Sequence, residues 1–255
     1  MRTDRGFTLI ELLVVIAIIA LLMGILMPAL SRVRNQARGV ACQASLHQWT
    51  LIWKMFTDDR DGYFHQGLGG EQQTSDGRWP VVMQTEYADL DMRLCPSAER
   101  FQSDGAQVPY AAWGVFDDGT YGSYGFNEWL CKRTGGTYGE NYFRHVNARP
   151  ADKIPLFLDC HWYDVWPFHT NIPPQFNGDM SNPTGGGSEM KRVCIDRHGG
   201  AVNCAFLDWS IRRVGLKELW TLRWNKTFDV NGPYTLRGGV QTADWPQWMR
   251  KYKDY

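Results

Sequence analysis

Between Leu12 and Leu30 the chain carries an uncharged apolar run, with Glu11 as the one acid at its head. A helix needs roughly 20 predominantly apolar residues to cross a bilayer, and this run is about that long. It exceeds the roughly 7–15-residue apolar region of a secretory signal peptide, and no small-x-small cleavage site closes it. Any fold for this chain must therefore place the segment in lipid or against other apolar helices. Glu11 sharpens the constraint. A carboxylate at the centre of a membrane helix costs on the order of 2.5–3.5 kcal/mol, so it is expected to have a partner and a role.

Past the apolar run, Ser31 to Phe56 reads as a continuation of the same helix into an amphipathic stalk. Leu46, Trp49, Trp53 and Phe56 recur on one helical face, which marks them as core. The stretch Asp58-Asp59-Arg60-Asp61-Gly62 supplies the turn chemistry that ends it. A helix from Phe7 to about Thr57 would be roughly 75 Å long. Beyond it the chain is rich in Gly, Pro and aromatic residues. Strand-like pieces stand at Trp79–Val82, Leu156–Leu158, Arg192–Ile195, Ala201–Leu207 and Ile211–Val214. The last three, joined by short turns, are expected to form an antiparallel meander, with a short helix over Leu216–Trp224. The segments Gly67–Arg78, Phe101–Asp118 and Thr170–Ser188 are expected to be surface loops. The tail from Asn231 to Tyr255 is expected to be irregular and to pack by its rings.

Lys and Arg total 27 and Asp and Glu total 27, so the balanced charge argues against nucleic acid as the main partner. The 12 Trp, 11 Tyr and 12 Phe suit a compact, loop-rich domain packed by large side chains, and equally suit stacking on sugars or a protein partner. Six cysteines are present: Cys42, Cys95, Cys131, Cys160, Cys194 and Cys204. None forms a C-x-x-C pair, which disfavours a zinc or thioredoxin-like site. Cys194 and Cys204 flank a Gly-Gly turn and stand as one candidate pair, although sequence does not fix connectivity.

The octapeptide Gly6-Phe7-Thr8-Leu9-Ile10-Glu11-Leu12-Leu13, behind a basic leader with Arg2 and Arg5, resembles the N-terminal signature of type IV pilins and type II secretion pseudopilins. The resemblance implies cleavage of Gly6–Phe7 by a membrane-embedded prepilin peptidase and methylation of the new amino terminus on Phe7. It implies that the Phe7 ammonium of an incoming subunit meets Glu11 of a neighbour, which pairs both charges in a low-dielectric setting and sets axial register. Gly24 and Pro28 mark a helix bend, with the family carrying a proline at the position of Pro28. Near the other end, His198, nine intervening residues and Asp208 resemble the H-x9-DG signature of a second pilin-like family. Trp209 stands where that family has glycine.

On this resemblance the expected fold is α+β and pilin-like, a long N-terminal helix packed on a small antiparallel sheet with long loops. The expected division is a leader over 1–6, a transmembrane and stalk helix over 7–57, and an extracytoplasmic domain over 58–255. The expected function is that of a structural subunit, not an enzyme, in a type IV pilus-like filament or a type II secretion pseudopilus. Its partners would be the prepilin peptidase, an assembly ATPase with its platform, related subunits and the inner membrane, crossed once with the C-terminal domain periplasmic or on a filament. Arg32, Arg34 and Arg38 follow the span with no acid before Asp58, so counting basic residues alone gives the opposite orientation. The peptidase signature outweighs that count. Three alternatives stand beside this reading. One is a minor or tip subunit that binds secreted protein or glycan through aromatic loops. Another is a membrane-tethered hydrolase using His161, His198 or neighbouring acids. The third is a plain anchored structural domain that never polymerises.

Candidate ion and catalytic sites are weak in the sequence. Asp58, Asp59 and Asp61 before Gly62 resemble a fragment of a calcium loop, but the terminal bidentate Glu is missing. No cofactor is expected, and calcium is the one ion left open. His198 and Asp208, at opposite ends of one expected strand, would lie some 30 Å apart, which assigns them turn roles. Asp159-Cys160-His161, His169 and His145 form the one histidine grouping, and nothing in their spacing shows convergence, so no metal site is expected. There is no phosphate-binding Gly-rich loop before a helix and no G-x-S-x-G elbow.

Overall fold

The structure, a computed structural model, describes residues 9–67, 77–98, 108–114, 119–133, 135–181 and 189–255. Helix α1 runs from Leu9 to Asp58, 50 residues. At 1.5 Å per residue it is about 75 Å long. Its two halves have different surroundings. Every residue from 9 to 38 is exposed, and the first buried residue is Cys42. From there the stripe Cys42, Leu46, Trp49, Trp53 and Phe56 is buried to 1% exposure or less. The i, i+3, i+4 spacing puts these side chains on one face, and that face packs over the sheet. The helix ends where Asp61 and Gly62 turn to positive φ, 51° and 82°. A β-carbon at Gly62 would lie 2.5 Å from His145 Nε2, so a larger residue would not fit the turn.

The sheet has five strands in the order β3-β1-β2-β4-β5. They are β1 Tyr124–Asn127, β2 Pro155–Asp159, β3 Asp164–Val165, β4 Ala201–Phe206 and β5 Ile211–Gly215. Strands β1 and β2, β2 and β4, and β4 and β5 pair antiparallel. The edge pair β1 and β3 is parallel, so the sheet is mixed where a purely antiparallel one was expected. Together these elements make an α+β, pilin-like architecture.

Local expectations need three corrections. Trp79–Val82 is a short helix, α2, not a strand; Pro80 sits in its first turn, where a missing N–H costs nothing. Arg192–Ile195 is not a strand either. Glu189–Arg192 is a 3-10 turn, and Cys194 N–H bonds back to Met190 O at 2.9 Å. The expected three-stranded meander is therefore a two-stranded hairpin, and the second neighbour of β4 is β2, with Leu158 opposite Cys204. The helical turn near Leu216 is a 3-10 segment over Lys217–Thr221.

Large rings fill the core. Eight of the twelve tryptophans are fully buried, so most of the ring content is packing and not surface recognition. Trp49 stacks edge-on against Trp79 at 5.1 Å, and Trp53 lies face to face with Phe126 at 4.5 Å. The polar handles of two of them are met inside: Trp49 Nε1 donates to Met92 O at 2.7 Å and Trp79 Nε1 to Tyr163 O at 2.6 Å. The C-terminal tail closes the domain by Trp245 against Trp220 and by the pair of buried Lys217 with partly exposed Asp254 at 2.7 Å. All six cysteines are free thiols. The candidate Cys194–Cys204 pair is overturned, because Cys194 leaves the hairpin and faces Met249 Sδ at 4.0 Å.

Candidate functional site

Two features of this fold bear on function: the exposed half of α1, and a buried polar cluster where that helix enters the domain. The exposed half has a mean hydropathy of 3.1 in its apolar window, with none of that window buried. Monomeric soluble proteins rarely expose a contiguous apolar surface of this extent, so it requires lipid or other helices. Glu11 lies in the first turn of the described helix. Gly6 and Phe7 lie outside the described residues. The helix continues through Pro28. Pro28 has no N–H for the carbonyl of Gly24, four residues earlier, and its ring crowds that same carbonyl. A β-carbon on Gly24 would have no neighbour within 4 Å, so the turn itself does not demand glycine.

The cluster lies at the first buried turn of α1. Cys42 comes from α1, Cys95 from the loop after the 3-10 turn Leu90–Arg93, Asp159 from the end of β2, and His198 from the turn before β4. One ligand atom from each of the four lies within 4.8 Å of all the others. His198 Nε2 is 3.0 Å from Asp159 Oδ2 and 3.4 Å from Cys95 Sγ. Cys42 Sγ is 3.7 and 3.8 Å from the two Asp159 oxygens. Further partners surround the four. Asn203 N–H donates to Asp159 Oδ2 at 2.8 Å, Ser97 N–H to Cys95 Sγ at 3.4 Å, and Tyr124 Oη to Cys42 Sγ at 3.4 Å. The buried Arg197 guanidinium stands 3.5 Å from Asp159 Oδ1 and is anchored by the carbonyls of Ala111 and Cys160. A groove of about 820 Å³, lined by Gly39, Ser97, His198 and Arg213 among others, opens over the cluster.

Burial disfavours charge on each group, and the contacts among them oppose it for three. Against its burial, His198 is pulled up to about 10 by Asp159 and Cys95. Asp159, also against its burial, is held below the usual carboxylate range by His198, Arg197 and Asn203 N–H. Cys95 is lowered to about 7, where its hydrogen bonds to Cys42 and His198 and the Arg197 charge outweigh burial. Cys42 is pushed well up by burial and by its neighbours Cys95 and Asp159. These groups do not form a catalytic relay. Cys95 and Asp159 address the same imidazole nitrogen, whereas a nucleophile–base–orienter chain needs one on each. Neither Cys95 nor Asp159 has any exposed surface to offer a substrate. A buried set of two thiols, a carboxylate and an imidazole nitrogen around one point suits a bound cation.

The remaining candidates separate. Asp208 is an exposed turn residue that accepts from Ser210 N–H at 3.0 Å, at the far end of β4 from His198. His198 keeps the turn role expected for it, its N–H bonded to Ala201 O at 3.1 Å, and its ring, folded inward onto Asp159, adds a place in the cluster. His145 Nε2 contacts Asp61 O at 2.9 Å, and His169 packs edge-on against Phe228. His161 is buried, which holds its ring well below the usual imidazole range. Of the sequence grouping Asp159-Cys160-His161, only Asp159 joins the cluster. Asp58 pairs with Lys54 at 2.6 Å on the surface, and Asp58, Asp59 and Asp61 bring no ligand group together among the described residues. A second convergent set, His65, Glu128 and Cys131, is also buried. Cys131 Sγ lies 3.1 Å from Glu128 Oε2 there, and burial lowers His65 to about 3. Much of the expected loops Gly67–Arg78, Phe101–Asp118 and Thr170–Ser188 lies outside the described residues.

Residues 1–27 match the prokaryotic N-terminal methylation motif. Among curated proteins the chain is similar to the type IV wide pilus major component PilA4 of Thermus thermophilus, 43% identical over 63 residues. That alignment covers 25% of this chain and 48% of the pilus protein, so the chain spans about half the length of the relative it matches. No solved structure matches the chain. The chain thus carries the prokaryotic methylation motif at its front, is similar to a type IV pilus component over a quarter of its length, and seats a long apolar helix on a small sheet, as a type IV pilin-like protein would.

Proposed function

We propose that this chain is a structural subunit of a type IV pilus-like filament or a type II secretion pseudopilus. It is made as a precursor, cut between Gly6 and Phe7 by a prepilin peptidase, methylated on Phe7, and polymerised through α1. The observation that carries this reading is the rod formed by residues 9–31, every one of them exposed and most of them apolar. At 1.5 Å per residue it is about 35 Å long, enough to span a bilayer. In the inner membrane, lipid covers it; in a filament, the rods of neighbours do. An assembly ATPase and platform drive that exchange, and the domain faces the periplasm or the filament surface. The relative's role as a major pilus component favours polymerisation with copies of itself.

Glu11 and the new Phe7 ammonium form the register contact between neighbours. Neither charge is tolerated alone in an apolar bundle, so mispaired subunits are rejected. Expression of Glu11→Val beside wild type, in a host with a type IV pilus machine, tests this. Wild type is expected in sheared filaments, and the variant is expected to be processed yet to stay in the membrane. Normal entry of the variant into filaments would contradict the register role. Wild type confined to the membrane would contradict the filament role.

A further inference from the structure

We propose that Cys42, Cys95, Asp159 and His198 bind one zinc ion, which clamps helix α1 to the sheet at the point where the apolar rod enters the domain. The site lies apart from the filament contacts and does not depend on them. Its donor set is that of a closed tetrahedral centre, with one ligand atom from each residue within 4.8 Å of the others. With zinc–sulfur bonds of about 2.3 Å, zinc–nitrogen of about 2.0–2.1 Å and zinc–oxygen of about 2.0–2.2 Å, neighbouring ligands lie roughly 3.3–3.8 Å apart. The separations here are 3.0, 3.4 and 3.7 Å for His198–Asp159, His198–Cys95 and Cys42–Asp159. Of these three, only the first needs to open, by a few tenths of an ångström, and the other pairs lie within 4.8 Å. A single nitrogen, Nε2, faces both a thiol and the carboxylate, as a ligand atom does and a relay atom does not.

Charge points the same way. Two thiolates and a carboxylate carry three negative charges. The ion and the buried Arg197 guanidinium balance them, with a neutral imidazole as the fourth ligand. The donors from Ser97 N–H, Tyr124 Oη and Asn203 N–H all suit a negatively charged acceptor. Such outer partners hold ligands in place and are part of a working site. Two sulfurs and an imidazole favour zinc over calcium or magnesium, which prefer all-oxygen shells. Binding displaces the thiol protons and the proton on His198 Nε2 to solvent. Sequence separations of 117 residues for Cys42–Asp159 and 103 for Cys95–His198 mean that the ion closes long loops. The His65, Glu128 and Cys131 set is a weaker candidate, since it offers three donors and His65 Nδ1 already accepts from Gly67 N–H at 3.1 Å.

The rival chemistry for the same residues is a Cys42–Cys95 disulfide. Full-length protein, extracted in detergent under a mild reductant that does not chelate metal, is stripped of metal and then titrated with Zn²⁺ and separately with Co²⁺. The expected result is one tightly held zinc per chain, a higher unfolding temperature with zinc, and the intense visible bands of tetrahedral thiolate-bound cobalt. Cys42→Ser and His198→Asn are expected to lose the zinc and the bands, while Cys204→Ser keeps both. If the ligand variants fail to fold, the wild-type cobalt spectrum decides alone. A weak octahedral spectrum, ligand variants that hold zinc as well as wild type, or a Cys42–Cys95 disulfide mapped by mass spectrometry in protein extracted without reductant would each overturn the proposal.

Discussion

His198 Nε2 lies 3.0 Å from Asp159 Oδ2, beside the first buried turn of the long helix. This contact joins the turn before β4 to the end of β2, with Arg197 on the other carboxylate oxygen. Removing the carboxylate charge would leave the buried Arg197 guanidinium without its counterion. Asp159→Asn is therefore expected to destabilise the full-length protein by about 3–5 kcal/mol, the usual cost of breaking a buried pair. Asp208→Asn, in an exposed turn, is expected to cost under about 1 kcal/mol. Denaturant unfolding followed by tryptophan fluorescence compares the two, and equal small losses would contradict the role given to the cluster.

The two halves of α1 are expected to respond differently to truncation. Trp53 is fully buried and stacked on Phe126, so Trp53→Ala is expected to cost about 3–5 kcal/mol of domain stability. Leu26 is 63% exposed, and Leu26→Ala is expected to leave domain unfolding within about 0.5 kcal/mol of wild type. Its effect belongs to filament recovery instead. A loss of domain stability in Leu26→Ala comparable to that in Trp53→Ala would contradict the division of the helix.

A pH-dependent term sits at Arg192, whose Nη1 is 3.1 Å from Asp164 Oδ1 and 3.0 Å from Glu189 Oε2. Burial, partly offset by Arg192, raises Glu189 to about 7 and Asp164 to about 6. A carboxyl raised on folding holds its proton more tightly in the folded state. The stability from Glu189 is complete below its ordinary value of 4.5 and is lost as the pH rises through about 7. Buried His65 acts oppositely in part of this window, being lowered to about 3 by burial, so the sign is read from a difference. Wild-type stability minus that of Glu189→Gln is expected to fall between pH 4 and 7.5, by a few kcal/mol at most, at about 1.4 kcal/mol per pH unit. A difference that is flat or rising with pH would contradict the assignment.

The long helix and its inward stripe were legible because period and composition are local. Leu46, Trp49, Trp53 and Phe56 needed no tertiary knowledge to be placed on one face. The hairpin of β4 and β5 was legible from its turn residues. The third strand of the expected meander was not, because the segment around Arg192 is apolar enough for a strand yet is bent by its ion pairs to Asp164 and Glu189. The buried cluster was illegible for a different reason. Its four members carry no short spacing, and Cys42 reads as one more small residue on an amphipathic helix. His198 stood out only as a motif residue, and Asp159 only beside His161. Their meeting is a consequence of β2 and β4 pairing under α1, which single-sequence patterns do not encode.

The most direct test of the filament account is the mass and N-terminal sequence of the protein extracted from membranes and sheared filaments. The account predicts a chain that begins at Phe7, lacks Met1–Gly6 and carries one methyl group on its α-amino nitrogen. Recovery only as membrane-bound material with the first six residues still attached would contradict it.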